Sequence, residues 1–536
     1  MPQFKPYDYN QDAMVVINFE EQIQPGSFEF TLHHLIENHI DLSAFYDQYN
    51  NDEGGRKAYD PAVLLKIILF AYSKGITSSR EIQWQCEHNI IFKALSCDSV
   101  PHFTSIASFV SSYPDAIESV FEQVLLVCDQ QGLLGLELLA IDGCKMSSNA
   151  AKEHSGTVEE LTQKSAKLRK QIQHHIKEHQ RLDARKPNEK ARKQRAEQAA
   201  NTLFKQYKRI NDFLKTAAPG PVIAPAKPAF PTSLWVMGQG KRPKEVKSNI
   251  TDNQSAKMLT SKGTIQGYNG VATVDKKHQI IVDAQAFGEG QEHHTLKPVL
   301  GRIENRLRRL KIDTSVYCKG LIITADTGFA NEANNDYLKK NRVNAYIPDN
   351  QFRQRDPKFK DQKAKYGKRH RDTVKGQRQV IPASEFKLNA QKKTCRCPAG
   401  NAMWLHSESQ TTGGKFKLSF EGKLTDCRHC SVKNDCMRNP ASADTREGHG
   451  RQVSFTLDSG KTATDWMKKR VDSPKGKLIY SHRMSVVEPV FGNIGTNKGL
   501  NRFSLRGKDK VQGQWQLYCL VHNIEKIAHY GQMELH

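Results

Sequence analysis

The chain has 536 residues, too many for one ordinary hydrophobic core, so several domains or one core with large inserts are expected. Lysine and arginine number 80 against 57 aspartate and glutamate, a formal charge of +23. That is far above the ~2–8 that solubility asks of a small domain and points to a polyanionic partner, nucleic acid first. No run of about twenty apolar residues is present, so no membrane span is expected. The opening "MPQFKPYDYNQDAM" lacks the basic-then-apolar pattern of a secretory signal, which predicts a cytoplasmic, nucleoid-associated protein.

Residues 1–135 read as a helical, DNA-binding domain, with apolar residues at helical spacing in "FTLHHLIENHI", "PAVLLKIILFAYSKG" and "TSIASFVSSYPDAIESVFEQVLLVCDQQG". Pro61 suits a first helical turn, Gly75 a helix end, and Thr77 or Ser78 an N-cap for the next helix. The helix, glycine turn and helix over 61–87 are similar to a helix-turn-helix, a hairpin also common in proteins that bind no DNA. At 136–156, "LLGLELLAIDGCKMSSNA" predicts a buried strand ending at Asp142 and breaking at Gly143, which puts a carboxylate at a strand mouth.

From 157 to 215 the composition turns to Lys, Arg, Gln, Glu and Ala with sparse apolar positions. Two long helices folded as a basic hairpin around Pro187 and Asn188 are expected. The Pro/Ala linker "TAAPGPVIAPAKPAFP" returns the chain to the body and opens a middle core segment, 216–350. There "GYNGVATVDKKHQIIVDAQAFG" predicts two strands joined by a turn at Asp275–His278, then a helix from about His293 to Leu310. "KGLIITADTGFANEANNDYLKK" predicts a strand ending at Asp326, a break and a helix, and "VNAYIPD" one more strand.

Between 351 and 475 the periodic pattern is lost: the basic run "NQFRQRDPKFKDQKAKYGKRHRD" is followed by a cysteine cluster. Cys395 and Cys397 form C-x-C, and Cys427, Cys430 and Cys436 form C-x2-C-x5-C, with Pro398 and Gly400 available for a tight turn. Four thiolates satisfy tetrahedral zinc, and the set chosen is Cys397, Cys427, Cys430 and Cys436, with Cys395 as the alternative first ligand and a structural role. Buried thiols are the competing reading, which a polar segment suits poorly. Cys86, Cys97, Cys128, Cys144, Cys318 and Cys519 are read as core residues. The last segment, 476–536, recovers a helical pattern in Leu517, Leu520, Val521, Ile524 and Ile527.

Breaking a phosphodiester without a covalent intermediate calls for an activated attacking oxygen and a stabilised leaving one, which two divalent cations supply. Hard cations take carboxylate oxygens, and two apolar strands here end in Asp followed closely by Gly, in "AIDG" and "TADTG". A third carboxylate, Glu488, stands in "YSHRMSVVEPVFGNIGTNKGLNRFSLRGKDKVQGQWQLYCLVHNIEKIA". These three segments are similar to the catalytic blocks of bacterial insertion-sequence DDE transposases. In that family the third block carries a Tyr, an Arg, the catalytic Glu and a Lys, then an "RG" loop and a helix with "HN" and a Lys. Tyr480, Arg483, Glu488, Arg506, Gly507, His522, Asn523 and Lys526 occupy those places. Four residues separate Arg483 from Glu488, more than the family has, and position 495 is Gly, which leaves Lys498 as the nearest base. The stretch "YDPAVLLKIILFAYSKGITSSREI" also resembles the helical domain that precedes the core in these enzymes.

The resemblance implies an α/β chain: an RNase H-like mixed β-sheet core with flanking helices, an all-α N-terminal domain and two inserts. It makes Asp142, Asp326 and Glu488 the catalytic ligands of two Mg2+ (or Mn2+) ions, Asp142 and Asp326 sharing one while Glu488 helps hold the other. It makes Tyr480, Arg483, Lys498, Arg506 and Lys526 DNA contacts, and double-stranded DNA (the element's terminal repeats and the target) the partner of a homodimer. A nuclease of the same fold without strand transfer, an inactive DNA-binding regulator and an RNA-binding enzyme are the competing expectations.

Overall fold

The computed structural model describes residues 16–49, 54, 57–183, 190–216, 247–261, 263–359, 380–410, 416–457 and 462–532. The linker after Thr216, the turn at Pro187 and Asn188, and most of the basic run that follows Phe359 lie outside the described residues. The architecture is mixed α/β, an RNase H-like core with a helical amino-terminal region. No described helix is long and apolar enough to cross a membrane.

In chain order the main helices and strands begin with α1 (Phe28–Asn38), α2 (Pro61–Ser73), α3 (Ser79–His88), α4 (Ile90–Ser96), α5 (Phe103–Ser112) and α6 (Pro114–Gln130). Strand β1 (Leu138–Ser147) leads to the long helices α7 (Val158–Asp183) and α8 (Lys190–Thr216), and then to β2 (Ala256–Thr260), β3 (Gly263–Asp275), β4 (Ile281–Phe287) and α9 (Leu296–Arg309). Next come β5 (Ile322–Ala325), α10 (Glu332–Lys340) and β6 (Ala345–Tyr346), followed by β7 (Lys387–Asn389), β8 (Thr394–Arg396), β9 (Ala402–Gln410), β10 (Phe416–Lys423) and β11 (His449–Leu457). Helices α11 (Ala463–Asp472), α12 (Pro474–Gly492) and α13 (Lys508–Tyr530) finish the chain. The fold divides into two compact units, residues 1–315 with 484–536, and residues 316–483.

In the first unit the helix starts follow local rules. Ser27 caps α1 by accepting from Phe30 N, and Asp60 caps α2, whose first residue is Pro61. Ser78 stands at the N-cap of α3 but makes no side-chain cap hydrogen bond, and Gly75 ends α2 in the left-handed region at φ 75°. Helix α2 is buried nearly all round, from Leu64 through Tyr72, even at Lys66, whose ammonium meets Glu37 at 2.7 Å. Its cover is α13, which also packs on α1, α5, α6 and β4, and Tyr72 stacks on Tyr518 with ring centroids 4.3 Å apart. The amino-terminal helices and the last helix therefore share one core.

Strand β3 pairs antiparallel with β1 on one side, and with β2 and then β4 on the other. The predicted turn after Asp275 is present, closed by the Asp275 carboxylate, which accepts from Gly135 N, Leu136 N and Lys277 N at 2.8–3.1 Å. The expected break at Gly143 does not occur: β1 runs on to Ser147, with Gly143 opposite Val271. The glycine serves packing instead, because a Cβ there would lie 2.8 Å from the Asn269 side chain on the neighbouring strand. The helical hairpin forms as expected, with Leu161, Leu168 and Ile210 as its seam and Ser165 bonded to Asn211 at 2.7 Å.

In the second unit β5 and β6 pair in parallel, Ile323 opposite Ala345. Glu332 at the start of α10 accepts from Ala463 N and Thr464 N, and so caps α11 from a distant part of the chain. The stretch that lacks a sequence pattern folds into a five-stranded antiparallel sheet, order β11-β10-β9-β8-β7. Its apolar side, with neighbouring turns, buries Phe386, Cys395, Met403, Leu418, Phe420, Cys436 and Val453, while Trp404, Leu405 and Phe416 are exposed on the strands, which blurs the alternation. Of the cysteines read as core, Cys86, Cys128 and Cys519 are buried, but Cys97 is exposed because it ends α4 in the left-handed conformation, φ 48°.

Candidate active site

Four buried residues, Leu138–Ile141, carry β1 through the core and deliver Asp142 half-buried, opposite Ala272. Gly143 N donates to Asp142 Oδ1 at 2.9 Å. A second acid stands nearby: Glu292, just beyond β4, pairs with Lys145 at 3.5 Å. Burial, then Asp142 and Glu292, push the Cys144 thiol up, so both carboxylates act on the same short stretch of β1. Sequence reasoning missed Glu292; its only signal is an acid in "GEGQEHH" directly after a buried strand.

Asp326 follows β5 at the N-cap of a single 3-10 turn, Thr327–Phe329, half-buried, with its carbonyl accepting from Phe329 N at 3.0 Å. In the same unit Tyr480 meets Phe352 edge-on at 5.4 Å, and Arg483 is only 6% exposed.

Glu488 is exposed on α12. Pro489 behind it has no N–H to give the carbonyl four residues back, and that carbonyl, Ser485 O, accepts instead from Gln279 Nε2 at 3.0 Å. The helix then widens into a π turn at Asn493–Asn497, where Asn493 Nδ2 donates to Glu525 Oε2 at 3.0 Å and contacts His522 Nδ1 at 3.2 Å.

Two of the residues expected at DNA, Lys498 and Lys526, make contacts within the fold. Lys498 is 1% exposed and its ammonium meets Glu525 at 2.6 Å, so it does not face solvent, and burial depresses its pKa. Lys526 donates to Gln279 Oε1 at 3.1 Å and is half-buried. His522 contacts Gln279 O at 2.9 Å, and Asn523 exchanges two hydrogen bonds with the backbone of Ile281. The "HN" and Lys pattern thus clamps α13 to the entry of β4. Arg506 remains exposed, its Nε bonded to Asn149 O at 2.6 Å. Gly507 beside it sits at φ 85° and donates to Asp252 Oδ2 at 3.2 Å, a backbone conformation that favours glycine.

In the cysteine-bearing sheet, Cys397, Cys427, Cys430 and Cys436 line one cavity of about 30 Å3. Gly422 and Gly450 make room for the Cys427 sulfur: a Cβ on Gly450 would stand 2.6 Å from it. Burial pushes the Cys427 and Cys436 thiols up, and in both cases the neighbouring thiols add to the effect. Cys395 turns away into the apolar core, 4.0 Å from Met403 Sδ. The donor set suits zinc, and the carboxylates at 142, 326 and 488 suit Mg2+ or Mn2+. Among the described residues, however, no group of three or more His, Cys, Asp or Glu stands ready-made around a metal position.

Two family models match the chain. Residues 396–528 match the model described as "Transposase DDE domain", a stretch containing Cys397–Cys436, Tyr480, Arg483, Glu488, Lys498, Arg506 and Lys526. Residues 17–112, the amino-terminal helices, match "Transposase domain (DUF772)". Asp142 and Asp326 lie outside both matched stretches. No curated protein matches. A helical transposase domain in front and a DDE domain behind together support an insertion-sequence DDE transposase.

Proposed function

We propose that this transposase cuts double-stranded DNA at the ends of its element and joins the freed ends to target DNA, with Asp142, Asp326 and Glu488 as catalytic carboxylates. The observation that carries the reading is Glu488: an exposed acid on a helix inside the DDE-domain match, in a chain with two apolar strands that each deliver an Asp. In the first step a water oxygen bonds to the phosphorus at the element end while the bond to the 3′ oxygen breaks, leaving a 3′-hydroxyl and a 5′-phosphate. In the second, that 3′ oxygen attacks a target phosphodiester and the target's own 3′ oxygen leaves, so the number of phosphodiester bonds is conserved. The carboxylates would hold Mg2+ or Mn2+, which supplies charge stabilisation of the attacking and leaving oxygens.

In the same reading the protein acts as a homodimer, because two ends must be held together, and works at the nucleoid. Tyr480 and Arg506 are its DNA contacts, while Arg483, only 6% exposed, is buried as Lys498 is. Lys498 and Lys526 support α13, and the four cysteines hold a structural zinc.

The test is cleavage and joining of labelled element-end DNA with Mg2+ or Mn2+ by wild type, Asp142→Asn, Asp326→Asn and Glu488→Gln. Loss of both products in all three variants, with DNA binding retained, is expected. Activity surviving in one variant removes that carboxylate from the set, and cut ends without joined product from wild type would favour a nuclease of the same fold.

A further inference from the structure

At the foot of the helical hairpin lies a cavity of about 490 Å3 whose lining includes Asn149, His154, Thr251, Arg209, Arg502 and Arg506. The three arginines come from separate places: Arg209 from α8 in the insert, the other two from the loop before α13. All three are exposed, no described carboxylate lines the cavity, and none of the three joins an ion pair among the described residues. We infer that this cleft grips a backbone phosphate of duplex DNA, so that the insert serves as one jaw of a DNA clamp. The inference rests on the DNA-joining reading above and adds Arg209 and Arg502 to it.

The side chains are aimed by the fold. Arg506 Nε is tied to Asn149 O at 2.6 Å, and Arg502 reaches Asn149 Oδ1 at 3.5 Å while its backbone bridges to Ser147. Arg209 is fixed from behind, because its neighbour Ile210 is buried in the hairpin seam with Leu161 and Leu168. His154, held to Thr251 Oγ1 at 3.0 Å, registers the local potential: burial, then Lys164, Arg209 and Arg506, lower its pKa against the opposing pull of Glu153, which does not line the cavity. Three guanidiniums lining one cavity with no carboxylate in its wall repel one another, and a phosphate, whose oxygens match the guanidinium fork, relieves that repulsion. The same cations would not select a base, so the cleft positions DNA without reading its sequence.

The experiment measures binding of a short fluorescein-labelled duplex to the full chain over a range of NaCl concentrations. It compares wild type, Arg209→Gln, Arg209→Lys, the triple variant Arg209→Gln/Arg502→Gln/Arg506→Gln, and Lys339→Gln as an exposed charge-loss control on α10. The triple variant should bind roughly tenfold more weakly, and its slope of log affinity against log salt should fall by about 0.9 for each DNA phosphate that it no longer neutralises. Arg209→Gln should show part of this, Arg209→Lys should restore most of it, and Lys339→Gln should match wild type. Arg209 is exposed on α8, and an unchanged melting temperature for Arg209→Gln separates loss of phosphate contact from loss of structure. If wild type binds duplex and every cleft variant shares its affinity and slope, the cleft inference falls while the transposase reading stands. If wild type binds no duplex, the reading beneath it falls too.

Discussion

Arg306 offers the sharpest test of what holds the first unit together. Its side chain is fully buried and donates to the Asp283 carboxylate, to Val282 O at 2.9 Å, to Glu118 and, at 3.4 Å, to Glu122. It thereby joins α9 to α6 and β4. Arg306→Met keeps much of the volume but strands Asp283, 1% exposed, with no other ion pair among the described residues. Arg302 and Arg309 still reach Glu118 and Glu122, but both are exposed, where a pair is worth about 0–1 kcal/mol. Breaking a buried pair by removing one partner costs ~3–5 kcal/mol, a large share of the ~5–15 kcal/mol by which proteins are stable. Urea unfolding followed by tryptophan fluorescence should show that loss. The double variant Arg306→Met/Asp283→Leu should recover most of it, since replacing a whole buried pair by apolar groups is often neutral. The pH dependence has a defined sign. Burial pushes the Glu118 carboxyl up, but Arg306, Arg302 and Gln516 outweigh it and hold it below the usual range. Its stabilisation is therefore present above pH 4.5 and lost as pH falls through the depressed folded value, where the gap between wild type and Arg306→Met should narrow. A single-variant loss under about 1 kcal/mol, or a double variant no better than the single, would refute the reasoning.

Three further outcomes are expected. His522 is pushed down to about 3, chiefly by burial, so folding favours its neutral form. Stability should be full above pH 6.5 and fall below it by up to about 1.4 kcal/mol per pH unit; His522→Gln should flatten this slope, and parallel slopes would count against the assignment. In metal analysis of reduced protein, Cys427→Ser and Gly450→Ala should lose zinc while Cys395→Ser retains it, and undiminished zinc in Cys427→Ser would remove that ligand. Gly143→Ala should lose about 1–3 kcal/mol to overpacking against Asn269, with Asn269→Ala relieving it, and a wild-type melting temperature for the single variant would show that the strand yields instead.

How much of this was legible beforehand depended on whether the signal was local. Strand β1 and its Asp142, the turn after Asp275, the strand delivering Asp326 and the hairpin seam at Leu161, Leu168 and Ile210 all follow from the period of apolar residues and from turn chemistry, which neighbours in sequence suffice to set. The choice of Cys397 over Cys395 was open in the sequence because strand residues two apart share a face; β8 ends at Arg396, so Cys395 stays in the sheet opposite Met403 while Cys397, just past the strand, lines the cavity with Cys427, Cys430 and Cys436. Gly143 reads as a strand end because glycine punctuates chains, yet its function comes from Asn269, 126 positions away on the adjacent strand.

Outside residues 351–475, the sequence by itself determined the main element types, the basic character and the family pattern, since each rests on residue chemistry repeated at short range; the sheet of β7 to β11 was not legible. Tertiary structure alone decided that Lys498 is buried against Glu525, that Glu292 and Asp142 both act on Cys144, and that Arg209 lines one cavity with Arg502 and Arg506. Those outcomes depend on which distant backbones pack together, and a side chain's exposure and partners are properties of that packing, which no local window contains.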